Sequence, residues 1–397
     1  MQLAQRLDSV KEPQTIKMAK LSRELKAKGI NIIDLSLGEP DFKTPEHICA
    51  AAVKAMNEGF TKYSPVAGFP DLLEAISIKL KRDNNLNYAP NEIMVSTGAK
   101  QSLYNIVMSL VDPGDEVIIP APYWVTYASL VQLAGGIVKY INCGIDTDFK
   151  LSPEQLEASI TPNTKLFIYS SPCNPSGSFY SREELAGLAE VFKRHPQVYI
   201  LSDEIYEYIN YTGQHESIAQ FDELKNRVVV VNGMSKGFAM TGWRLGYMAG
   251  PREIIQACER MQGQCTSGAN SIAQKAAVTA LLSDLGPTYK MVDAYKQRRD
   301  YVIGALKKMP GIRSNEPQGA FYAFPDVSSF FGKTYGENTI TNADDMSMYL
   351  LHEGHVATVC GSAFGDNNCI RISFATSMTN LMEAMERIDK ALKKLNP

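Results

Sequence analysis

Short apolar runs rich in Val and Ile alternate with segments of helical period between residues 91 and 250. Such short runs are typical of strands buried on both faces, and the longer periodic segments are typical of helices. Their alternation predicts an α/β fold with a mostly parallel seven-stranded sheet covered by helices on both faces. The predicted strands are Ile93 to Val95, Glu116 to Ile119, Ile137 to Ile141, Lys165 to Tyr169, Val198 to Leu201, Val228 to Val231 and Leu245 to Ala249.

Helical periodicity dominates much of the remaining sequence. Thr44-Pro45-Glu46 has the composition of a helix start, because threonine can cap a helix and proline fits its first position. Residues 312–397 mix short strands with helices, which predicts a smaller α+β unit. The main predicted helices are Ile16 to Lys28, Thr44 to Met56, Pro70 to Arg82, Lys100 to Leu110, Tyr123 to Ala134, Ser181 to Arg194, Pro251 to Gln262, Ser271 to Ser283, Thr288 to Met309, Asp344 to His352 and Thr379 to Lys394.

The composition is that of an ordinary soluble globular protein, with 45% hydrophobic and 21% charged residues among 397. A formal net charge of −3 argues against a nucleic-acid or anionic-membrane partner. Apolar runs are too short to cross a bilayer, and the N-terminus has no signal-peptide core. Seven dispersed cysteines without a Cys-x-x-Cys pair predict reduced thiols in a cytoplasmic protein. The histidines form no convincing cluster, so no metal site is predicted.

Several unusual residues fall where a predicted strand ends, which is where ligands bind in parallel α/β sheets. Residues 96–100, STGAK, turn from a strand into a helix, and the free N–H groups there favour a phosphate. The P-loop and the dinucleotide glycine fingerprint do not occur in the chain, which counts against a plain dinucleotide-binding domain. Trp124 follows another strand and either packs between domains or stacks on a flat ligand. Asn174 lies in a loop that two prolines restrain.

Three charged residues indicate the chemistry. Asp203 ends an apolar strand, where a carboxylate is costly unless a cation, such as a ring nitrogen, lies opposite. Lys236 lies among small residues in GMSKGFAMTGWRLGY, residues 233–247, between two predicted strands. A lysine that loses water there has a lowered pKa, and its amine is a nucleophile toward an aldehyde. Arg371, between two isoleucines, either extends to solvent or binds a carboxylate through its two-pronged guanidinium.

Together these segments resemble the class I and II aminotransferases, which are pyridoxal 5'-phosphate (PLP) enzymes of fold type I, and most closely the bacterial aspartate aminotransferases of subgroup Ib. The similarity runs from GEPDF at residues 38–42 to IRIS at residues 370–373. Its most specific parts are SKGFAMTGWR at residues 235–244 and SDEIY at residues 202–206. The resemblance implies an N-terminal arm with part of the small domain over residues 1–45, a large PLP-binding domain over 46–289, and a small C-terminal domain over 290–397.

The resemblance also implies roles around the cofactor. Lys236 would carry PLP as an imine and, once the substrate amine displaces it, would move a proton between the substrate and the cofactor. Asp203 would keep the pyridine nitrogen protonated, so that the ring can accept electrons. Tyr206 and Asn174 would contact the ring oxygen, and Trp124 would lie on the ring face. The implied phosphate contacts are Gly98, Ala99, Ser235 and Arg244, with Lys100 beside them. Tyr63 would reach the phosphate from a second subunit.

The implied substrates are amino acids and 2-oxo acids, above all aspartate and glutamate. Arg371 would bind the substrate α-carboxylate beneath the backbone of Gly38, and Lys100 would lie near the distal carboxylate. Trp124 and Asn174 would also touch the substrate, and Thr15 matches a further recognition position. Because Tyr63 would come from another chain, the resemblance implies a homodimer with shared active sites.

Two other activities are compatible with the same fold and the same site residues. The arm that includes Thr15 follows the family pattern less closely than the rest of the sequence, so an aminotransferase with another specificity, for prephenate, aromatic substrates or alanine, is an alternative. A PLP-dependent lyase would use the same lysine and aspartate but would break a different bond. A PLP-sensing regulator is disfavoured, because residues 1–30 are too short for a DNA-binding module and the charge is wrong for one.

Overall fold

The structure, a computed structural model, describes residues 4–8, 10 and 14–396. Its strands are β1 (Ile33–Asp34), β2 (Ile93–Ser96), β3 (Glu116–Ala121), β4 (Ile137–Asn142), β5 (Thr164–Ser170), β6 (Tyr199–Asp203), β7 (Val228–Gly233), β8 (Gly246–Ala249), β9 (Tyr322–Ala323), β10 (Thr334–Tyr335), β11 (Asn338–Thr339), β12 (Val356–Ala357), β13 (Val359–Cys360) and β14 (Ile370–Ser373). Its α-helices are α1 (Gln14–Ala27), α2 (Glu46–Asn57), α3 (Pro70–Asn84), α4 (Ala99–Leu110), α5 (Thr126–Leu133), α6 (Pro153–Ser159), α7 (Arg182–Arg194), α8 (Arg252–Gly263), α9 (Ser271–Leu282), α10 (Gly286–Leu306), α11 (Ala343–Glu353) and α12 (Met378–Leu392).

Seven strands form the central sheet in the order β2-β8-β7-β6-β5-β3-β4. Neighbouring strands run parallel except at β8, which is antiparallel to both β2 and β7. The inner strands are almost fully buried, and β7 and β8 are buried at every position, because helices cover both faces of the sheet. The prediction of a mostly parallel seven-stranded sheet in an α/β fold is confirmed.

A second apolar core lies around the strands of the C-terminal part of the chain. Strands β13, β14 and β9 form a small antiparallel sheet, and the helices α10, α11 and α12 contribute side chains to the same core. Strand β1 joins this unit from the other end of the chain, since Ile33 pairs in parallel with Val356. Residues near the N-terminus therefore pack with residues of the C-terminal quarter.

Two local predictions differ from the structure. Thr44 does not cap α2, because Pro45 occupies that position without a side-chain hydrogen bond. Instead the Thr44 hydroxyl donates to the carbonyl oxygen of Ala239 at 2.7 Å and accepts from the indole N–H of Trp243 at 3.0 Å. Helix α5 begins later than Tyr123, whose N–H donates to a carbonyl of the C-terminal unit instead.

Among residues 4–8, 10 and 14–396, no helix combines the length and the apolar character that crossing a lipid bilayer requires.

Candidate active site

The carboxyl ends of β3, β5, β6 and β7 open onto one cavity of about 380 Å³. Asp203 is the last residue of β6, and Trp124, Asn174 and Lys236 lie in the loops that follow the other three strands. The expectation that strand ends would bring these side chains together is therefore met. The cavity is lined by Thr15, Leu37, Gly38, Glu39, Ala99, Lys100, Trp124, Tyr127, Ser170, Asn174, Asp203, Ile205, Tyr206, Ser235, Lys236, Thr241, Arg244, Tyr322 and Arg371.

Positive charge predominates in this cavity. Four cationic side chains face two carboxylates among its lining residues. In a concave, partly dry site such an excess attracts anions such as phosphate and carboxylate groups. The cationic residues are Lys100, Lys236, Arg244 and Arg371, and the acidic residues are Glu39 and Asp203.

Lys236 follows β7 and is half-buried. Its ammonium group donates a hydrogen bond to the carbonyl oxygen of Gly38 and lies 5.7 Å from the ring centre of Tyr206. Burial, reinforced by the charge of Arg371, lowers the pKa of Lys236 to about 8. With this pKa roughly one amine in ten is neutral at pH 7, against about one in several thousand for an ordinary lysine. The amine is therefore available as a nucleophile.

Asp203 is buried, with 4% of its surface exposed. Its Oδ2 accepts a hydrogen bond from the Tyr127 hydroxyl at 2.6 Å, and its Oδ1 accepts from the N–H of Ile205 at 3.2 Å. Burial raises the pKa of Asp203 to about 6, although both hydrogen bonds act in the opposite direction. A carboxylate with two neutral donors in so dry a place favours a cationic ligand.

Arg371 lies within β14 and is 2% exposed. Its Nη1 donates to Asn174 Oδ1 at 3.0 Å and its Nη2 to the carbonyl oxygen of Ser36 at 2.7 Å, while its Nε has no hydrogen-bond partner. The guanidinium carbon lies 4.5 Å from the ring centre of Tyr322 and 4.9 Å from that of Phe364. Burial excludes the solvent-extended alternative. Because both of these hydrogen-bond acceptors are neutral, the cation is suited to an external carboxylate.

The turn from β2 into α4 offers backbone N–H groups. Gly98 precedes α4 with φ +81°, and no side chain caps this helix. A Cβ on Gly98 would lie 2.5 Å from Nη2 of Arg244, so glycine is required for the guanidinium to lie there. Ala99, Ser235 and Arg244 line the cavity. Helix N–H groups, a hydroxyl and a guanidinium together form an anion site of the kind that binds phosphate.

Two further predicted residues meet at the cavity wall. The ammonium group of Lys100 lies 4.9 Å from the ring centre of Trp124, which itself meets Tyr127 edge-on at 5.6 Å. Thr15, at the start of α1, lines the same cavity. An aromatic face with a cation beside it suits a planar ligand that carries negative charge.

Gly98 and Tyr63 are the predicted site residues that do not line the cavity. Gly98 lies beside the cavity, since an added Cβ there would lie 2.5 Å from Nη2 of Arg244, which lines it. The side chain of Tyr63 is 99% exposed. A single chain therefore does not bring Tyr63 to its own cavity.

Sequence reasoning missed Tyr127 and Tyr322. Both line the cavity, and each holds a predicted residue: Tyr127 bonds Asp203, and the Tyr322 hydroxyl lies 2.8 Å from that of Tyr206. The partners are 76 and 116 positions apart in sequence, so no local pattern signals these contacts. Only the position of Tyr127, three residues after Trp124 near a strand end, carried a hint.

A buried polar cluster lies behind Asp203. Glu204 accepts a hydrogen bond from Ser217 Oγ at 2.6 Å, and its other carboxylate oxygen lies 2.9 Å from Nε2 of His215. Glu204, Glu207 and His215 come close enough to hold a metal ion. Glu207 is, however, already paired with the ammonium group of Lys79, which supplies a positive charge at that place.

Comparison with known proteins extends over nearly the whole chain. The sequence model of the family described as aminotransferase class I and II matches residues 30–388. An aspartate/prephenate aminotransferase of Nitrosomonas europaea is 46% identical over 396 residues, covering 99% of this chain and 100% of that protein.

Solved structures agree with this match. The crystal structure of an aspartate aminotransferase from Rhizobium meliloti superposes with a TM-score of 0.97 at 43% identity, covering 100% of both chains. An aspartate aminotransferase from Thermus thermophilus with maleate superposes with a TM-score of 0.93 at 38% identity, covering 98% of this chain and 100% of that one.

Proposed function

The chain belongs to the class I and II aminotransferase family, and from this premise we propose that it is an aspartate aminotransferase. In the proposed reaction, aspartate and 2-oxoglutarate give oxaloacetate and glutamate. The observation that carries the proposal is that Lys236, Asp203 and Arg371 line one cavity. Amino-group transfer requires three groups that these residues supply: a nucleophilic amine from Lys236, an acid from Asp203 to face a cationic ring, and a cation from Arg371 to bind a carboxylate.

The proposed cofactor is PLP, and the lining residues fit it. Asp203 is a buried acid with two neutral donors, which suits a ring nitrogen that carries a proton. Ala99, Ser235 and Arg244 would hold the phosphate, and Trp124 would lie on the ring. When bound, this cofactor supplies an electron sink that stabilises negative charge at the substrate α-carbon.

Lys236 would carry out the proton transfer. Its pKa of about 8 lies close to neutrality, so the same amine can both release and accept a proton at physiological pH. The contact with the Gly38 carbonyl holds its nitrogen at the cavity wall on which residues 37–39 lie. Tyr206 and Asn174 would bond the cofactor oxygen. The oxygen of Asn174 is engaged by Arg371, which leaves its amide N–H groups for an acceptor.

The substrate carboxylates would be bound at two places. Arg371 would bind the α-carboxylate with Gly38 above it, because its guanidinium group contacts only neutral oxygen acceptors, those of Asn174 and Ser36, within the part of the chain that the structure describes. Lys100 would lie near the distal carboxylate, with Thr15 as a second contact. The excess of cationic side chains in the cavity favours dicarboxylic over neutral amino acids.

Replacing Arg371 tests the carboxylate site. In Arg371→Lys the charge stays but the fork is lost, so KM for aspartate and for 2-oxoglutarate should rise roughly 10- to 100-fold. Arg298→Lys is a matched control, because Arg298 makes its two-pronged contact with Asp41 and does not line the cavity. Steady-state kinetics with both substrates checks the result. An unchanged KM in Arg371→Lys would place the carboxylate elsewhere.

A single-turnover absorbance assay with a panel of amino acids tests the proposed specificity. Aspartate and glutamate should convert the lysine-linked cofactor to its amine form without release of pyruvate or ammonia. Neutral and aromatic amino acids should react far more slowly. Release of pyruvate or ammonia would favour a lyase, and an equal response to all amino acids would contradict the dicarboxylate preference.

Prephenate as a second acceptor is favoured by one finding, the aspartate/prephenate aminotransferase that is 46% identical to this chain. Lys100 would then meet a carboxylate of the acceptor, as it would in oxaloacetate. After conversion by glutamate, the amine form of the protein should pass its amino group to prephenate at a rate comparable with that for oxaloacetate. No transfer to prephenate would contradict this second activity.

We further propose a homodimer in which Tyr63 completes the partner's site. Both sequence neighbours of Tyr63 are anchored, because Ser271 Oγ donates to the Lys62 carbonyl at 2.7 Å and Ser64 Oγ donates to the Ala269 carbonyl at 3.0 Å. Tyr63 itself is 99% exposed. Exposed apolar side chains such as Val53 and Met56 lie nearby in sequence on α2. A fixed but uncovered aromatic ring of this kind fits contact with a second copy.

Subunit mixing tests this arrangement. Tyr63→Ala chains should still form dimers of the 43.8 kDa chain but should bind PLP about tenfold more weakly. Mixing them with Lys236→Ala chains should create one site per mixed dimer with wild-type affinity and turnover. Met382→Ala, which changes another exposed apolar residue, is the control. Mixed dimers without a wild-type site would contradict sharing.

Domain boundaries and location remain proposals. The boundaries 1–45, 46–289 and 290–397 are supported by the two separate apolar cores and by the pairing of β1 with β12. A cytoplasmic location is supported by the seven cysteines, all of which are free thiols.

A further inference from the structure

Tyr322 lies beside Arg371, the backbone of Gly38 and the hydroxyl of Tyr206, all of which line the cavity. It begins β9, is fully buried, and pairs with Ser373 of β14, the strand that carries Arg371. An added Cβ on Gly38 would lie 2.6 Å from the Tyr322 hydroxyl, so the backbone over the substrate position rests directly on this phenol. A side chain at this junction touches the carboxylate site and the cofactor side at once.

The ring of Tyr322 supports the guanidinium group of Arg371. The guanidinium carbon lies 4.5 Å from the Tyr322 ring centre and 4.9 Å from that of Phe364. These two rings and two hydrogen bonds, to Asn174 and to the Ser36 carbonyl, surround the cation. Aromatic faces stabilise a buried guanidinium and limit its rotation, so the Tyr322 ring helps to fix the direction in which Arg371 presents its fork.

The hydroxyl of Tyr322 makes a separate contact. It lies 2.8 Å from the hydroxyl of Tyr206, and either oxygen can be the donor. Each phenol has one proton. If Tyr206 donates its proton to a bound cofactor, the proton between the two phenols must come from Tyr322. A phenol that accepts one hydrogen bond donates the next one more strongly.

We propose that Tyr322 is a positioning residue that connects the carboxylate site at Arg371 to the phenol of Tyr206. Its ring orients the guanidinium group, and its hydroxyl donates to Tyr206 and strengthens the hydrogen bond that Tyr206 makes to the cofactor. The inference rests on the proposed function, because it assigns Arg371 to the substrate carboxylate and Tyr206 to the cofactor oxygen. Because the ring contacts Arg371 and the hydroxyl contacts Tyr206, different substitutions of Tyr322 can remove one role without the other.

Two substitutions at position 322 separate the ring from the hydroxyl. Tyr322→Phe keeps the ring, so the dissociation constant of maleate, an unreactive dicarboxylate, should stay within about twofold of wild type in the PLP-loaded protein. Its kcat should fall about three- to tenfold, the size expected for one lost hydrogen bond. The pKa of the Lys236–cofactor linkage, read by absorbance against pH, should rise, because a weaker bond from Tyr206 leaves more electron density to hold the linkage proton.

Tyr322→Leu removes both groups. Besides the changes seen for Tyr322→Phe, maleate binding and KM for aspartate should weaken about tenfold, since the guanidinium loses one of its aromatic faces. Tyr295→Phe is the matched control: Tyr295 is buried in the same aromatic cluster, and its hydroxyl has no hydrogen-bond partner. That variant should match wild type in maleate binding, kcat and linkage pKa. Circular dichroism and melting temperature establish folding.

The outcomes separate this inference from the proposed function. If wild-type protein does not bind maleate and does not transaminate aspartate, both are overturned. If wild type does both but Tyr322→Phe leaves the linkage pKa and kcat unchanged, the proposed role of the Tyr322 hydroxyl as a donor to Tyr206 is wrong and the proposed function stands. If Tyr322→Phe weakens maleate binding as much as Tyr322→Leu does, the ring and the hydroxyl do not have separate roles. The same conclusion follows if Tyr295→Phe shifts the linkage pKa as much as Tyr322→Phe does.

Discussion

Lys236→Ala protein is expected to lose transamination by ~10⁴-fold or more while keeping its fold and its capacity to bind PLP noncovalently. The lysine has two roles that alanine cannot fill, the nucleophile that links the cofactor and the base that moves the substrate proton. Both depend on an amine whose pKa burial has lowered to about 8. Steady-state kinetics with aspartate and 2-oxoglutarate, together with the absorbance of the bound cofactor, measures the loss.

A small external amine provides a control for the second role. Methylamine is small enough to occupy the space of the deleted side chain, so it should restore part of the proton-transfer rate in Lys236→Ala. Lys290→Ala, which changes an exposed lysine on α10, should behave as wild type. Steady-state turnover retained in Lys236→Ala without added amine would refute both assigned roles.

Asp203→Asn is expected to reduce kcat/KM by ~10³-fold or more, which corresponds to about 4 kcal/mol of transition-state stabilisation. Asparagine keeps the shape of aspartate and can still accept from Tyr127, but it cannot favour a protonated ring nitrogen. The electron sink is weakened as a result. A loss below tenfold, measured with saturating PLP, would contradict the assignment of Asp203 to the ring nitrogen.

The same substitution should stabilise the cofactor-free protein. The folded-state pKa of Asp203 is raised to about 6, above that of an unfolded aspartate. The unfolded carboxyl therefore ionises first as pH rises, and the native state loses stability between about pH 4 and pH 6. A shift of roughly two pKa units corresponds to about 3 kcal/mol, all of it lost above pH 6.

Asparagine has no such charge to bury. Cofactor-free Asp203→Asn should therefore melt at a higher temperature than cofactor-free wild type above pH 6, and the difference should disappear below about pH 4. Melting temperatures across this pH range check the sign. A variant that is less stable than wild type at pH 7 would show that burial of the Asp203 charge is not costly.

The sheet and the main site residues were predictable because their signals are local. Runs such as Val228 to Val231 are too apolar and too β-branched to be surface loops, and they became buried strands. Asp203 stood out as a charged residue at the end of such a run. The carboxyl ends of parallel strands meet at one edge, so predicting the strands also predicted that Asp203, Asn174 and Lys236 would share a cavity.

Contacts between distant segments could not be predicted. The Thr44 hydroxyl lies within reach of two groups of the lysine loop, and no local pattern distinguishes that contact from helix capping. Tyr127 and Tyr322 are ordinary aromatic residues by sequence, and only the folded chain brings their hydroxyl groups to Asp203 and Tyr206. Contacts of this kind depend on how separate elements pack, which local propensity does not encode.

The most direct test of the proposed chemistry is to trap the bond between lysine and cofactor. PLP-loaded protein would be reduced with borohydride, digested, and its peptides identified by mass spectrometry. The expected result is one cofactor-derived group per chain, on the peptide that contains Lys236, and none in Lys236→Ala. A modification at Lys100 or at any other lysine, or no stable modification at all, would contradict the assignment of Lys236 as the residue that bonds PLP.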